Sequence, residues 1–231
     1  MDYGLAIILG LWQGLTEFLP VSSTAHLTLV GQMLGVVSPA RPEEWTAFIA
    51  VIQIGTLLAV FGYFARDIQK ILQNFWRDNL VRRLGWSKQS HESRLGWLII
   101  IGTVPVVIFG YLLKSFVEGP WTKNILMIAF VLLIFGILLG AAELFGRRAR
   151  TLKTLSVWDA LAVGFGQVFS LLPGASRSGT TLTAGLFMGL ERGAAARFSF
   201  LLSLPAVLLS GLFELKQAWS YLDVRLAIAY A

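Results

Sequence analysis

Long apolar runs separated by short polar connections divide this chain. A membrane crossing needs about 20 apolar residues. Four stretches meet or approach that length, at about 45–65, 96–113, 123–143 and 198–214. The second holds Pro105 and the fourth Pro205, and each proline is expected to kink its helix. Two more segments, about 5–35 and 159–190, are apolar but too rich in Gly, Ser and Thr for simple spans. They share one pattern. The first runs Gly10-Leu-Trp-Gln13-Gly-Leu-Thr-Glu17-Phe-Leu-Pro20-Val-Ser22-Ser23-Thr24-Ala-His26. The second runs Gly164-Phe-Gly-Gln167-Val-Phe-Ser170-Leu-Leu-Pro173-Gly174-Ala-Ser176-Arg177-Ser178-Gly179-Thr180-Thr181. Each starts as a Gly/Gln helix, breaks at a proline and resumes through hydroxyl residues. Non-helical backbone at membrane depth is tolerated only inside protein or beside a water-filled cavity. Both segments therefore read as re-entrant helix hairpins.

One hairpin followed by three spans makes a repeat unit. An odd number of spans inverts the second copy in the membrane. Repeat 1 covers about 5–145. Repeat 2 covers about 157–231 and holds its hairpin and one span. Residues 224–231 look like the opening of another span. The expectation is an all-α polytopic membrane protein, a single integral membrane domain over 1–231. It is built as an inverted-topology repeat whose second unit is incomplete at the C-terminus.

Composition strengthens the membrane reading. Only 14% of residues are charged, against about 25% in soluble domains, and the mean hydropathy is +0.70. The net charge of +6 requires no nucleic-acid partner, because the basic residues concentrate in connections. Connection 66–94 carries seven Lys/Arg against three acids, and 146–154 carries four and none. Two spans separate them, so they share a side, and the positive-inside rule makes that side cytoplasmic. Trp45 and Trp121 sit where interfacial aromatics are expected. The absence of cysteine excludes disulfides, Cys-ligated zinc and thiol catalysis. Met-Asp-Tyr-Gly offers no basic region of a cleaved signal peptide.

The candidate chemistry lies in the two breaks. Gln13 and Glu17 share one helix face at i and i+4. Ser22 or Ser23 can cap the restarted helix, and His26 follows one turn later. In the second break, Pro173-Gly174 interrupts the helix, Ser176 can cap its restart, and Arg177 shares a face with Thr180 and Thr181. Meeting at the midplane, the breaks would assemble a carboxylate, an imidazole, an arginine, hydroxyls and two helix N-termini. Helix N-termini are anion sites, and arginine offers a fork for phosphate oxygens. Gln13 and Glu17 offer oxygen ligands to a hard divalent ion. His26 suits a general acid/base or nucleophile. Together these indicate phosphoryl chemistry in a membrane. Each group also has a plainer use: Gln13 and the hydroxyls in helix packing, and Arg177 with Glu17 as a structural bridge.

At these residues the chain resembles the bacterial undecaprenyl-diphosphate phosphatase family, also called the bacitracin-resistance protein family. Gln13-x-x-x-Glu17 leading into Phe-Leu-Pro-Val-Ser-Ser-Thr, and Pro173-Gly-Ala-Ser-Arg-Ser-Gly-Thr-Thr, carry the resemblance. Val51-Ile-Gln53-Ile-Gly55, Thr103-Val-Pro105 and Phe198-Ser-Phe-Leu-Leu-Ser-Leu-Pro205 also match it. The resemblance implies hydrolysis of undecaprenyl diphosphate to its monophosphate and phosphate, which recycles the lipid carrier of cell-wall synthesis. It implies a multi-pass protein of the bacterial inner (plasma) membrane whose site faces the periplasm or outer side. A divalent metal, Mg2+ or Ca2+, would be held by Gln13 and Glu17. Catalysis would fall to Glu17, Ser22, Ser23, His26 and Arg177, and phosphate holding to Gly174, Ser176, Arg177, Ser178 and Thr181. Its partners would be a polyprenyl diphosphate, membrane lipids and, as one assembly open to it, a second copy in a homodimer. Ala25 stands where the family usually has Gly. The family is also longer by about two C-terminal spans. The main rival reading is an inverted-repeat secondary transporter or flippase for an anionic or lipid-phosphate substrate. Transport needs no nucleophile or general acid, so His26 with Glu17 argues against it.

Overall fold

The computed structural model describes residues 3–36, 42–117 and 124–218. It is helical, with a single isolated β-bridge, between Arg150 and Leu190, among the described residues. The helices are α1 (Tyr3–Glu17), α2 (Ser23–Met33), α3 (Pro42–Tyr63), α4 (Ala65–Trp76) and α5 (His91–Leu112). They continue as a short α6 (Lys114–Val117), α7 (Ile125–Phe145), α8 (Val157–Val168), α9 (Arg177–Phe187) and α10 (Arg192–Ala218). Three of them, α5, α7 and α10 through Gly211, are long and apolar enough to cross a membrane. A fourth crossing is counted if α3 and the bent helix after it form one span. This is the architecture of a polytopic membrane protein. Trp121 and the segment 224–231 lie outside the described residues.

Chain chemistry explains the main boundaries. α5 is capped by the Ser90 side chain, which accepts from Ser93 N–H, and it continues through Pro105. Asn124 caps α7 by accepting from Leu126 and Met127 N–H. α8 opens with a capping box in which Ser156 and Asp159 each bond the other's backbone. Asp159 is buried and forms a bidentate pair with Arg150 at 2.6 and 2.7 Å. Arg150 also donates to the carbonyls of Met188 and Thr154. One guanidinium thereby ties the start of α8 to the end of α9.

The core joins α3, α4, α5, α8 and α10 through Leu57, Ile71, Leu98, Val163, Phe198 and Leu202. Small residues set its closest approach. A Cβ placed on Gly164 would lie 2.3 Å from the Gly102 carbonyl oxygen, so α8 and α5 meet backbone to backbone. This is the membrane packing mode in which glycine replaces bulk.

The connection 66–94 is not the plain polar link its charge suggested. It holds α4, a π-helical turn at Arg77–Val81 and a 3-10 turn at Trp86–Lys88. The reason is a 3.6-residue pattern: Ile68, Ile71 and Phe75 fall on one face, and Phe75 packs on Trp97 with ring centroids 5.0 Å apart. Asp78 is buried beneath this turn and accepts from Ser90 N–H at 2.8 Å and Ser90 O–H at 2.6 Å.

The two basic connections come to the same end of the bundle. Arg197 pairs with Asp67 at 2.6 Å, while Arg192 and Arg148 both pair with Glu143. The N-terminus of α10 thus touches both α4 and the end of α7.

Candidate active site

The two helix breaks are built alike. After Glu17 the chain leaves α1, passes Pro20 and restarts at Ser23, with Ser22 as N-cap. After Val168 it passes a 3-10 turn (Phe169–Leu171) and Pro173, then restarts at Arg177 with Ser176 as N-cap. Each capping hydroxyl accepts a backbone N–H three residues on: Ala25 N–H on Ser22 at 3.4 Å, and Gly179 N–H on Ser176 at 3.2 Å. Both caps have positive φ, 62° at Ser22 and 53° at Ser176. Such values are uncommon outside glycine and mark strained, over-determined positions. Gly174, at φ 97°, needs glycine for a second reason: its added Cβ would lie 2.4 Å from the Ile128 carbonyl oxygen of α7.

The breaks meet at Glu17. Arg177 Nη2 donates to its Oε1 at 2.8 Å across 160 residues of sequence. Ser23 Oγ and Gln13 Nε2 donate to its Oε2 at 2.5 and 2.9 Å. Ser23 and Arg177 each directly follow their cap, so corresponding residues of the two breaks grip one carboxylate from both sides. The carboxylate itself has no counterpart. Ser170 and Leu171, which take its place before Pro173, are not acidic. Ser178 donates to the Leu19 carbonyl at 2.8 Å and lies 3.2 Å from Ser176 Oγ. The bond to Leu19 stitches the second restart onto the first break.

Gln13 is fully buried. An ionised carboxylate only accepts, so the amide nitrogen faces Glu17. Its Oε1 is left buried without a hydrogen-bond partner among the described residues. His26 is half-buried on α2, with Nδ1 2.9 Å from the Ser22 carbonyl oxygen. A carbonyl only accepts, so Nδ1 carries the proton and Nε2 is the basic nitrogen of the neutral ring. Among the described hydrogen bonds and ion pairs, none joins His26 to Glu17 or Arg177. Among the described residues there is also no cluster of three or more His, Asp or Glu placed for a metal ion.

Thr181 faces away from the breaks. It is buried, donates to the Arg177 carbonyl at 2.7 Å, and lies 2.5 Å from Ser199 Oγ of α10. Ser199 is absent from the sequence-derived set. Its signal was there: Ser199 and Ser203 are i and i+4 in an apolar span, a polar stripe that packing alone does not need. A cavity of about 10 Å³ separates this stripe from the breaks. It is lined by Glu17, Phe18, Arg177, Ser178, Ser199, Phe200 and Ser203. Gln167, the counterpart of Gln13, is fully buried, and neither amide atom is bonded among the described residues. A larger, open, apolar cleft of about 670 Å³ runs between α1 and α3 past Gly10, Gly14 and Gly55 to Phe18.

A family model described as bacitracin resistance protein BacA matches residues 6–230. The chain is 56% identical over 216 residues to an undecaprenyl-diphosphatase of Syntrophobacter fumaroxidans, covering 94% of this chain and 77% of that protein. It is 48% identical to one of Gloeobacter violaceus, over 91% of this chain and 70% of the relative. It is 44% identical to one of Micrococcus luteus, over 91% and 73%. The chain belongs to the BacA family.

Proposed function

We propose that this chain hydrolyses undecaprenyl diphosphate to undecaprenyl phosphate and phosphate, returning the lipid carrier to cell-wall synthesis. The shared name of its relatives supports the substrate and the reaction, and disfavours the transporter reading. The observation in the molecule that carries the proposal is the 2.8 Å contact between Arg177 and Glu17. A charge inside an apolar bundle is costly and marks function. Here one charge from each break is held at a common point, beside the N-terminus of α9.

Hydrolysis forms a bond from the nucleophile to the terminal phosphorus and breaks the bridging P–O bond. Charge grows on the bridging and equatorial oxygens, so the protein's task is positioning and electrostatic stabilisation. The Nη2 contact with Glu17 leaves Arg177 with further N–H donors for phosphoryl oxygens. Ser176 and Gly174 shape the turn that presents it. Ser178 and Thr181 fix that turn through the Leu19 and Arg177 carbonyls. Glu17, held by Gln13, Ser23 and Arg177, orients the guanidinium and can take the Ser23 proton through their 2.5 Å bond. His26 offers Nε2 as proton acceptor or nucleophile. Ser22 and Ser23 lie within the same turn. Trapping phosphohistidine at His26 assigns the attack to the imidazole, whereas phosphoserine assigns it to a hydroxyl. Absence of both leaves water activated by His26.

A divalent ion, Mg2+ or Ca2+, suits this donor set. Gln13 Oε1 is a buried, unbonded oxygen, and Glu17 is the adjacent carboxylate. Mg2+ is commonly held by one or two carboxylates together with substrate phosphate. Gln13 and Glu17 would hold the ion once the Gln13 amide turns its oxygen, in place of Nε2, toward the carboxylate, and the ion would then neutralise phosphoryl charge. The paired breaks and their matching caps support an inverted repeat of two re-entrant units in the inner membrane. In that arrangement the basic end is cytoplasmic and the site opens toward the periplasm.

The test is phosphate release from undecaprenyl diphosphate in detergent, with and without chelator, for the parent chain and for Arg177→Ala. The expected fall is on the order of 10²–10³ in rate. Retained activity in Arg177→Ala would overturn the site.

A further inference from the structure

We propose that α4 and the π-helical turn after it form an interfacial element that docks on anionic phospholipid. The inference is independent of the phosphatase reading.

The segment has two possible relations to a bilayer. It could continue α3 across the membrane, or it could lie along the surface. Between Ala65 and Arg83 it carries Arg66, Lys70, Arg77, Arg82 and Arg83 with Asp67 and Asp78. A helix centre with that charge does not enter hydrocarbon. The chain also bends by 71° between α3 and α4. A span standing across the membrane followed by such a bend leaves α4 nearly in the membrane plane.

The faces of α4 fit that position. Its inner strip, Ile68, Ile71 and Phe75, packs on α5. A Cβ added at Gly96 would meet Phe75 at 2.8 Å and Ile71 at 3.3 Å. Beside this strip runs a second apolar strip that none of the described residues covers. Leu72 and Trp76 are each 63% exposed, and Leu80 and Val81 beyond them are 54% and 68% exposed. An exposed indole flanked by aliphatics suits the headgroup–acyl boundary, where tryptophan is enriched. The remaining arc is basic. Arg66, Lys70 and Arg77 fall on one stripe at i, i+4 and i+11. Arg66, Lys70, Arg82 and Arg83 form no ion pair among the described residues. An apolar face with a Lys/Arg-rich polar face is the pattern of a helix lying in the membrane interface.

The occupant follows from the charge. A juxtamembrane basic cluster is attracted to anionic headgroups by about 1 kcal/mol, or roughly fivefold, per Lys or Arg near the surface. The 147–153 connection adds Arg147, Arg148 and Lys153 at the same end of the bundle. A zwitterionic surface would satisfy the indole but not this field. An acidic protein would satisfy the field but has no need of the exposed Leu72–Trp76 strip beside a membrane span.

The chain has no cysteine, so single-cysteine labelling reads each face directly. Leu72→Cys, Trp76→Cys and, on the polar arc, Gln73→Cys would be spin-labelled in the full chain. The protein would be reconstituted in phosphatidylcholine vesicles containing 30 mol% phosphatidylglycerol, a composition chosen on the order of the anionic content that gives a surface potential. Labels at 72 and 76 are expected to collide with oxygen in the lipid and be shielded from a water-soluble relaxant. The label at 73 is expected to behave the opposite way. In the same vesicles, Arg66→Gln/Lys70→Gln is expected to lower the preference for spin-labelled phosphatidylglycerol over phosphatidylcholine at least about fivefold. An unchanged thermal unfolding midpoint in detergent would show that this variant is folded. Water exposure at 72 and 76 overturns the docking. So does shielding of both from oxygen and relaxant alike, which would mean a protein covers the strip. Unchanged lipid preference in the charge variant overturns the anionic partner.

Discussion

The two broken helices begin from similar sequences and end in different surroundings. α8 and α9 are enclosed: α5 lies against Gly164, α7 against Gly174, and α10 against Thr181. α1 and α2 meet each other and α3, and the outer face of α1 exposes Ile7, Leu11 and Leu15. Gly10, the counterpart of Gly164, would meet none of the described residues within 4 Å of an added Cβ. The difference separates two duties. The enclosed break supplies a cation on a frame that packing holds still. The open break supplies the carboxylate and the imidazole. Similar local chemistry therefore gives a rigid half and an accessible half, and only neighbours distinguish them.

The sharpest way to break this comparison is to add one methyl group to each half. Gly164→Ala forces a Cβ to within 2.3 Å of a backbone carbonyl oxygen that cannot swing away. Overpacking of this kind costs about 1–3 kcal/mol, and thermal unfolding in detergent should fall accordingly. Gly10→Ala should leave it unchanged. Equal losses in the two variants would mean that α1 is as closely packed as α8.

Next in size are the caps. Ser176→Ala removes the Gly179 bond while keeping the Cβ at positive φ, so a loss of about 1 kcal/mol is expected from the bond alone. Ser176→Gly removes the same bond but relaxes the backbone and should come close to neutral. Ser22→Ala should cost less than Ser176→Ala, because its bond is longer at 3.4 Å. An equal ranking would show that cap strength does not distinguish the halves.

Ser199→Ala probes the packing behind Arg177. Thr181 keeps its bond to the Arg177 carbonyl, so the protein should fold and lose about 0.5–1.5 kcal/mol. If the hydroxyl pair positions the guanidinium, kcat falls while KM for the lipid holds. A loss of stability with kcat unchanged would restrict Ser199 to packing.

The last test lies outside both breaks and serves as their control. The two Ser90 bonds and Arg77 hold the Asp78 carboxyl at about 2, below its ordinary value of 3.8. A depressed folded-state pKa contributes stability above the unfolded value. That contribution is lost as pH falls toward the folded value. Thermal stability should therefore decline between pH 4 and pH 2, and Asp78→Asn should flatten that part of the curve. A slope unchanged by Asp78→Asn would assign the acid loss to other carboxylates.

Much of this was legible in the chain because the signals are local. Apolar runs mark α5, α7 and α10 within a few residues of their ends. The prolines and following serines mark both restarts. The charge of 66–94 hides its helix in the sequence, although Ile68, Ile71 and Phe75 are spaced as a helix face. Ser199 was missed because one serine in a span is ordinary until its partner is known. Their place beside Arg177 suggests Thr181 and Ser178 as phosphate ligands. Their hydroxyls instead bond backbone carbonyls, a choice made by rotamer and packing.

By itself, the sequence determined what each segment does over a few residues: where helices cap, where a proline stops them, and which stretches stay dry. Those outcomes depend on backbone sterics and on hydrogen bonds reaching three or four positions. Tertiary structure alone decided that Arg177 reaches Glu17 across 160 residues, that Gly164 is enclosed while Gly10 is open, and that Gln13 keeps a bare oxygen. No local rule operates at that range. Those contacts exist because α5, α7 and α10 pack around α8 and α9 and hold the second break against the first.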